Sequence, residues 1–205
     1  MTRLPRILAT GFTAFPGAPV NPTQALVARL EEIAGAGAFD AEFDLTTAVL
    51  PVDWRQMPEE LARLGRDHAP DIAVHFGLAA SARGFRLERV AENRVRTGGL
   101  DNTGFVPPGA GLCAGPASVA SSLPLQRIAE TLSARGLPVE WSDDAGGYLC
   151  NAAFFHACAG TIGGFAPAVA GFVHLPLPSP GFDAEAFVTG AVAILRVTAE
   201  HFRTL

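Results

Sequence analysis

Short apolar runs that alternate with amphipathic segments limit what this chain can fold into more than any other feature. Residues 6–11, 71–77 and 168–174 are mostly apolar, which is typical of strands buried on both faces of a sheet. Apolar residues at helical spacing and helix-start and helix-stop residues predict helices at about 23–33, 58–68, 122–135 and 183–202. Further strands are predicted near 43–52, 85–95 and 139–141. This alternation predicts an α/β fold with a largely parallel sheet.

Length and composition exclude several classes of protein. The chain has 205 residues without a linker between two halves, so one domain spanning 1–205 is expected. The net charge is −5 and the fifteen basic residues, all Arg, are scattered, which argues against a nucleic-acid partner. No apolar stretch approaches the ~20 residues that span a bilayer, and the start lacks a signal-peptide core, so neither membrane association nor export is expected. Three cysteines without metal-ligand spacing predict a reduced, cytoplasmic protein with neither a metal nor a cofactor.

Cys150 has a suggestive position in the sequence. It lies in the segment Asp144-Ala145-Gly146-Gly147-Tyr148-Leu149-Cys150-Asn151, where a turn rich in glycine runs into the first turn of a predicted helix. The partial positive charge of a helix N-terminus favours a thiolate over a thiol, and the thiolate is the nucleophilic form. We therefore consider Cys150 a candidate nucleophile.

Two further residues supply the other groups that a cysteine hydrolase needs, an imidazole and a group that orients it. His174 ends an apolar run and is followed by prolines, and strand ends commonly present catalytic side chains. Because one helix and one strand separate it from Cys150, adjacent parallel strands could bring the two together. Glu88 lies in an apolar-flanked strand, where an unpaired carboxylate would be costly to bury. We expect it to orient His174.

Structural interpretations of the same residues stay open. Cysteine is among the residues most often found fully buried, so Cys113 and Cys158 are expected to be inert. Cys158 lies about two turns beyond Cys150 in the predicted helix, too far from its start to feel the dipole. Glu88 and Arg89 could form a solvated ion pair. The remaining histidines are interpreted as structural: His68, His75, His156 and His201. On the residues alone, a catalytic and a structural Cys150 are about equally supported.

Four segments, taken in order, resemble the pyroglutamyl peptidase I family. Residues 10–17 followed by 21–23 are similar to its opening TGFxPFGG…NPS, with Pro16 where Gly is usual. Residues 76–81 followed by 88–91 are similar to GxAGGR…ERVAIN. Residues 144–151 are similar to xAGTxVCN, and 171–176 to GFIHVP. The resemblance spans most of the chain.

The resemblance implies a function and a fold. Members of this family are cysteine peptidases that remove an N-terminal pyroglutamate from small peptides, without a metal or other cofactor. It assigns Cys150 as nucleophile, His174 as general base and acid, and Glu88 as the group that orients His174. It also implies a three-layer α/β/α sandwich around a mixed, mostly parallel twisted sheet, and a cytoplasmic homo-oligomer, a tetramer or a dimer.

The substrate pocket is expected to involve four apolar side chains: Phe12, Phe15, Leu78 and Leu149. Phe12 and Phe15 lie among Gly and Pro in the loop after the first strand. They are expected to enclose the flat, uncharged pyrrolidone ring, although both could equally be core residues. Leu78 replaces a common Gln of the family.

One stretch departs from the family pattern. The family continues after ERVAIN with DARIPDN, and when its final Asp-Asn is matched to Asp101-Asn102, the Arg and the Ile that the family has at its active site fall on Gly98 and Gly99. Arg94 or Arg96 could reach the same space. The segment 97–116 has no clear period and is predicted to be a loop or a lid.

Two other functions stay open beside an active peptidase. The first is a divergent, weak or inactive homologue that binds a lactam or a peptide N-terminus. The second is an enzyme resembling nucleoside phosphorylases, which would need a phosphate site, and the sequence has no glycine-rich cradle with a supporting basic residue.

Overall fold

The helices and strands follow the predicted alternation closely. A computed structural model describes residues 3–96 and 99–205. In chain order the elements are β1 (Arg6–Phe12), α1 (Pro22–Gly35), β2 (Asp44–Leu50), α2 (Gln56–His68), β3 (Ile72–Leu78), β4 (Phe85–Glu88), β5 (Val90–Glu92), β6 (Ser118–Ala120), α3 (Leu125–Ser133), β7 (Val139–Ser142), α4 (Leu149–Ala159), β8 (Val169–Leu175) and α5 (Ala184–Phe202).

The main sheet is mixed and mostly parallel. Its strands lie in the order β2-β1-β3-β8-β4-β7. β1, β2, β3 and β8 run parallel to one another, β4 is antiparallel to β8, and β7 is parallel to β4. The change of direction between β8 and β4 is decisive for the site, because it places the beginning of β4 beside the end of β8.

Alternate side chains of each strand enter two separate apolar cores. Ile7 of β1 and Val74 of β3 pack with α1, α3 and α5. Leu8 and Ala73 point to the other face and pack with α2 and α4. Because successive side chains of a strand point to opposite faces, the apolar runs require cover on both sides. This arrangement confirms the predicted three-layer sandwich.

Local capping explains where two of the helices begin. Asn21 accepts a hydrogen bond from the Thr23 backbone N–H at the start of α1, where Pro22 occupies the first turn. Asp183 accepts one from the Ala186 N–H at the start of α5, as its position in the sequence suggests.

The predicted strand at 85–95 is in fact two strands that belong to different sheets. β4 ends at Glu88, and Arg89 connects onward by donating to the Ser142 carbonyl and accepting from the Ser121 N–H, both at 2.8 Å. β5 then pairs antiparallel with β6, a strand that the sequence did not predict, in a small separate sheet. Two charged residues in succession, Glu88 and Arg89, interrupt the alternation of apolar and polar side chains here, but they do not indicate which strand becomes the partner.

Residues 99–116, as far as the structure describes this segment, contain neither helix nor strand, in agreement with the loop prediction. Thr97 and Gly98, which open the predicted loop or lid, lie outside the described residues. Among the described residues, no helix has both the length and the apolarity that crossing a membrane requires.

Candidate active site

A cavity of about 240 Å³ opens where the carboxyl ends of β1, β3 and β8 meet the start of α4. Phe12, Leu78 and His174, at or next to the ends of these strands, line it together with Cys150 of α4. In open α/β sheets this edge is where ligands bind, because the loops that leave the strands diverge there.

Cys150 is the second residue of α4 and is partly exposed to the cavity. Gly146, with φ of +82°, makes the left-handed turn that brings the chain into the helix. Burial raises the pKa of the Cys150 thiol to about 12, the negative charge of Glu88 adds to the rise, and the residue's own backbone N–H opposes it. The helix start favours the thiolate, as predicted, but burial and the charge of Glu88 outweigh it. A base has to take the proton.

His174 and Glu88 form a buried pair. The His174 Nδ1 lies 2.7 Å from Glu88 Oε1, and the residues are 5% and 0% exposed. With a proton on Nδ1, the imidazole donates to the carboxylate and its Nε2 is left to act as a base. Arg89 instead pairs with Asp143, so the alternative interpretation, a solvated ion pair between Glu88 and Arg89, is wrong.

Gly77, the next-to-last residue of β3, lies beside the Cys150 thiol and beside the strand position of His174. A Cβ at Gly77 would lie 2.9 Å from Cys150 Sγ and 2.6 Å from the Phe172 ring, so only glycine leaves room for the sulfur. Gly77 is also the register partner of His174 in the parallel pair of β3 and β8. The sulfur therefore lies against the strand position next to that of His174.

The predicted reason for their proximity is wrong, because β4 separates β7 from β8 and the strand leading to Cys150 is not adjacent to the strand of His174. The start of α4 reaches Gly77 directly. Sequence reasoning missed Gly77, whose only signal is a glycine at the end of an apolar strand.

All four predicted pocket residues line the cavity: Phe12, Phe15, Leu78 and Leu149. The Phe12 ring centroid lies 6.2 Å from that of Phe172, and Phe15 lies 6.1 Å from Tyr148. These contacts fix both rings at the side of the cavity. Phe12 serves the core as well, since it is only 2% exposed.

Tyr148 is a pocket residue that the sequence reasoning did not single out. Its ring lines the cavity and lies edge-on to Trp54 at 5.7 Å, and its hydroxyl donates to the Leu100 carbonyl at 2.8 Å. A Cβ at Gly99 would lie 3.1 Å from this ring, so Gly99 packs directly on Tyr148. The tyrosine thus joins the nucleophile turn to the loop where the family pattern is broken.

Asp101 holds that loop in place. Its carboxylate accepts from the backbone N–H groups of Trp54, Thr103 and Phe105, at 3.0, 2.8 and 2.9 Å, and from the Thr103 hydroxyl. A buried acceptor with so many donors defines the loop conformation. Sequence reasoning missed Asp101 because its partners are mostly backbone groups.

Arg94 and Arg96 do not line the catalytic cavity. Both bind Asp144, at 3.0 and 3.3 Å. Arg96 lines a neighbouring cavity of about 620 Å³ together with Gly99. Gly98, where the family's Arg would fall, lies outside the described residues.

The other thiols and imidazoles lie away from the cavity or make structural contacts. Cys158 Sγ donates to the Ala170 carbonyl at 3.3 Å. His75 and His156 bind the hydroxyls of Thr10 and Thr161, each at 2.7 Å. Within the described ranges, no group of His, Cys, Asp and Glu side chains is arranged to hold a metal ion.

A three-layer α/β fold with Cys, His and Glu at one strand-end cavity defines the class of α/β cysteine peptidases. The sequence profile described as Pyroglutamyl peptidase matches residues 5–192. The chain therefore belongs to the pyroglutamyl peptidase family.

Named relatives and solved structures agree with this membership. The chain is 33% identical to a pyrrolidone-carboxylate peptidase of Oceanobacillus iheyensis, over 83% of either chain. It is 34% identical to pyrrolidone-carboxylate peptidase 1 of Ralstonia nicotianae, over 96% of this chain and 92% of the relative. The crystal structure of pyroglutamyl peptidase I of Bacillus amyloliquefaciens superposes with a TM-score of 0.85 at 26% sequence identity, over 97% of this chain and 98% of that one. A mutant pyrrolidone carboxyl peptidase of Pyrococcus furiosus superposes with a TM-score of 0.87 at 26% sequence identity, over 96% of this chain and 99% of that one.

Proposed function

We propose that the chain is a cysteine exopeptidase that hydrolyses the bond between an N-terminal pyroglutamate and the next residue of a peptide. The observation that carries the proposal is the buried Glu88–His174 hydrogen bond at the same apolar cavity as Cys150. The names of the relatives supply the substrate class. The intact arrangement of the three side chains favours turnover over binding alone.

In this mechanism His174 takes the Cys150 proton as the sulfur attacks the carbonyl carbon that joins pyroglutamate to the next residue. The Cys150 backbone N–H at the start of α4 stabilises the resulting oxyanion. His174 then protonates the leaving amine, the C–N bond breaks, and a thioester forms on Cys150. His174 deprotonates a water that attacks the thioester, and pyroglutamate leaves as the free acid with the thiol restored. Glu88 stabilises the imidazolium in both halves.

The selectivity follows from the cavity walls. The pyrrolidone ring is flat and uncharged, and the rings of Phe12 and Phe15 bury its faces without a counter-ion. A peptide with a free, charged amino terminus would lose its hydration there without gaining a partner.

Hydrolysis of pyroglutamyl-aminomethylcoumarin tests this function, with Cys158→Ala as the matched control for Cys150→Ala. Both are cysteines of α4. We expect Cys150→Ala to lose activity by at least about 10³-fold and Cys158→Ala to keep it within a few fold. A folded wild type without activity would instead favour the divergent homologue that only binds a lactam or a peptide N-terminus. Activity that survives in Cys150→Ala would contradict the assigned nucleophile.

We further propose that residues 1–205 act as one catalytic domain, in a cytoplasmic homo-oligomer. The resemblance to the family supports both statements. Sedimentation of the purified protein distinguishes a tetramer or a dimer from a monomer.

A further inference from the structure

Arg86 is a cation beside the catalytic imidazole. Among the cavity-lining side chains that the structure describes, it is the one arginine. It is the register partner of His174 in the antiparallel pair of β4 and β8, and it precedes Glu88 by two positions. Arg86 and Glu88 therefore project from the same face of β4, and paired residues of antiparallel strands lie only about 4.5–5.5 Å apart at Cα.

One end of the Arg86 guanidinium makes a firm hydrogen bond, and its other end is held only weakly. Its Nε donates to Glu140 Oε2 at 3.0 Å, and Glu140 Oε1 also accepts from the Arg83 N–H at 2.8 Å. The two terminal nitrogens contact the Ser81 hydroxyl, each at the long distance of 3.4 Å. A planar guanidinium fixed through Nε and weakly bound at its other end presents the geometry that a carboxylate binds with two hydrogen bonds.

The uncharged pyrrolidone ring gives this cation nothing to neutralise. The leaving amine receives its proton from His174, so the residue that is released has to lie beside His174, where Arg86 is the strand neighbour. Asp144, an acidic residue at the same cavity, is already paired with Arg94 and Arg96.

We propose that Arg86 binds a carboxylate of the residue that follows pyroglutamate. This inference rests on the proposed function and deepens it. The carboxylate has two sources, the C-terminal α-carboxylate of a dipeptide and the side chain of an Asp or Glu in a longer peptide. Arg86 is then a specificity residue for the leaving group and has no part in bond cleavage.

Two substrate pairs test the proposal and separate the sources. Pyroglutamyl-alanine is compared with pyroglutamyl-alaninamide, and pyroglutamyl-glutamic acid amide with pyroglutamyl-glutamine amide. We expect wild type to prefer the carboxylate in at least one pair, with kcat/KM on the order of tenfold higher. Arg86→Gln brings that ratio close to one, and Arg86→Lys keeps part of it because a point charge lacks the two-pronged geometry.

Arg127→Gln is the matched control, because it removes an exposed arginine that pairs with Glu200 and does not line the cavity. We expect it to keep the wild-type ratio. A ratio near one in wild type for both pairs would overturn the proposal. So would an Arg86→Gln variant that loses activity equally on acid and amide, because Arg86 would then act on the fold alone.

A protein that hydrolyses none of these substrates contradicts the proposed function and still leaves Arg86 testable. The same acid-to-amide ratio is then measured as dissociation constants, by calorimetry, with Cys150→Ala and with the double variant that adds Arg86→Gln. A carboxylate preference that depends on Arg86 supports the inference, and equal dissociation constants overturn it.

Discussion

The two sides of the active-site cavity are built by different means. The catalytic floor, formed by Gly77, Glu88, Cys150 and His174, is set by strand register and by the start of α4. The loop wall, defined as residues 99–105 with Tyr148, borders the catalytic cavity through Tyr148, while Gly99 and Leu100 line the neighbouring cavity. Residues 99–105, all of which the structure describes, contain neither helix nor strand, and hydrogen bonds to Asp101 and from Tyr148 maintain their conformation.

The difference indicates which changes the protein tolerates on each side. A displacement at the floor moves reacting atoms, whereas a change in the loop wall alters how substrate is held. Gly99, one of the two departures from the family pattern, belongs to the loop wall. We therefore expect it to change substrate binding more than bond cleavage.

Glu88→Gln makes the largest change to the floor among the following predictions. Removing the buried charge takes away the partner of the imidazolium, and we expect kcat to fall by about 10⁴-fold, as when the acid of a catalytic triad is made neutral. Steady-state kinetics with the fluorogenic reporter measure the change. Glu92→Gln, which changes a half-buried acid at the end of β5 that pairs with Arg94, should remain within a few fold. Equal losses of kcat in both variants would contradict the role of Glu88 as the partner of the imidazolium.

Gly77→Ala tests the floor through its shape. The new methyl would contact Cys150 Sγ and the Phe172 ring closer than real Cβ atoms allow, so the sulfur has to move. We expect kcat to fall by about 10²-fold, since the crowding of the sulfur and the Phe172 ring displaces the reacting groups and a misplacement of about 1 Å is enough for that. Gly35→Ala is the control, because a Cβ there meets nothing within 4 Å. A fully active Gly77→Ala enzyme would show that sulfur and imidazole do not meet at this position.

The pH dependence of the free energy of unfolding reports on the sheet beneath the catalytic floor, through the buried His75. His75 of β3 is completely buried, and burial lowers its pKa from 6.5 to about 4. The unfolded chain thus binds the proton first as pH falls. The contribution is complete above about 6.5 and is lost between about 6.5 and 4, by up to about 3 kcal/mol.

Urea unfolding across this pH range measures that loss. His75→Phe should show a flatter profile, whereas the exposed His68→Gln should follow wild type. A His75→Phe profile as steep as that of wild type would place the titration elsewhere.

Tyr148→Phe gives the smallest effect and acts on the loop wall. It removes the hydrogen bond to the Leu100 carbonyl but keeps the ring that packs on Gly99. A bond of this type contributes about 1 kcal/mol, so we expect KM to rise a few fold with kcat nearly unchanged. A fall in kcat without a change in KM would mean that the wall supports catalysis directly.

The sequence predicted the sheet and its covering helices because apolar runs record burial on both faces. It could not predict the break at Arg89, since alternation of side chains does not record which strand is the partner. The placement of Cys150 and His174 at one cavity beside Gly77 likewise depends on strand order, which chain distance does not determine. The positions of Cys150, His174 and Glu88 were still predicted, because few residue types can act as nucleophile, base and orienting acid.

The chemistry of Cys150 was harder to predict than its position. The helix start favours a thiolate, but burial and the charge of Glu88 act in the opposite direction, and both depend on tertiary structure. The sequence did not predict the roles of Asp101 and Tyr148 for a related reason. Their hydrogen bonds reach backbone groups of distant segments, which leave no side-chain pattern in the sequence.

The most direct test of the account is the identity of the acylated residue during turnover. Wild type is mixed with excess pyroglutamyl-aminomethylcoumarin, quenched in acid within the first turnovers, digested with pepsin in acid and analysed by mass spectrometry. The account predicts one pyroglutamyl group, as a thioester, on the peptide that contains Cys150. Hydrolysis that proceeds without any acyl group on Cys150, or with the group on Cys113 or Cys158, would contradict it.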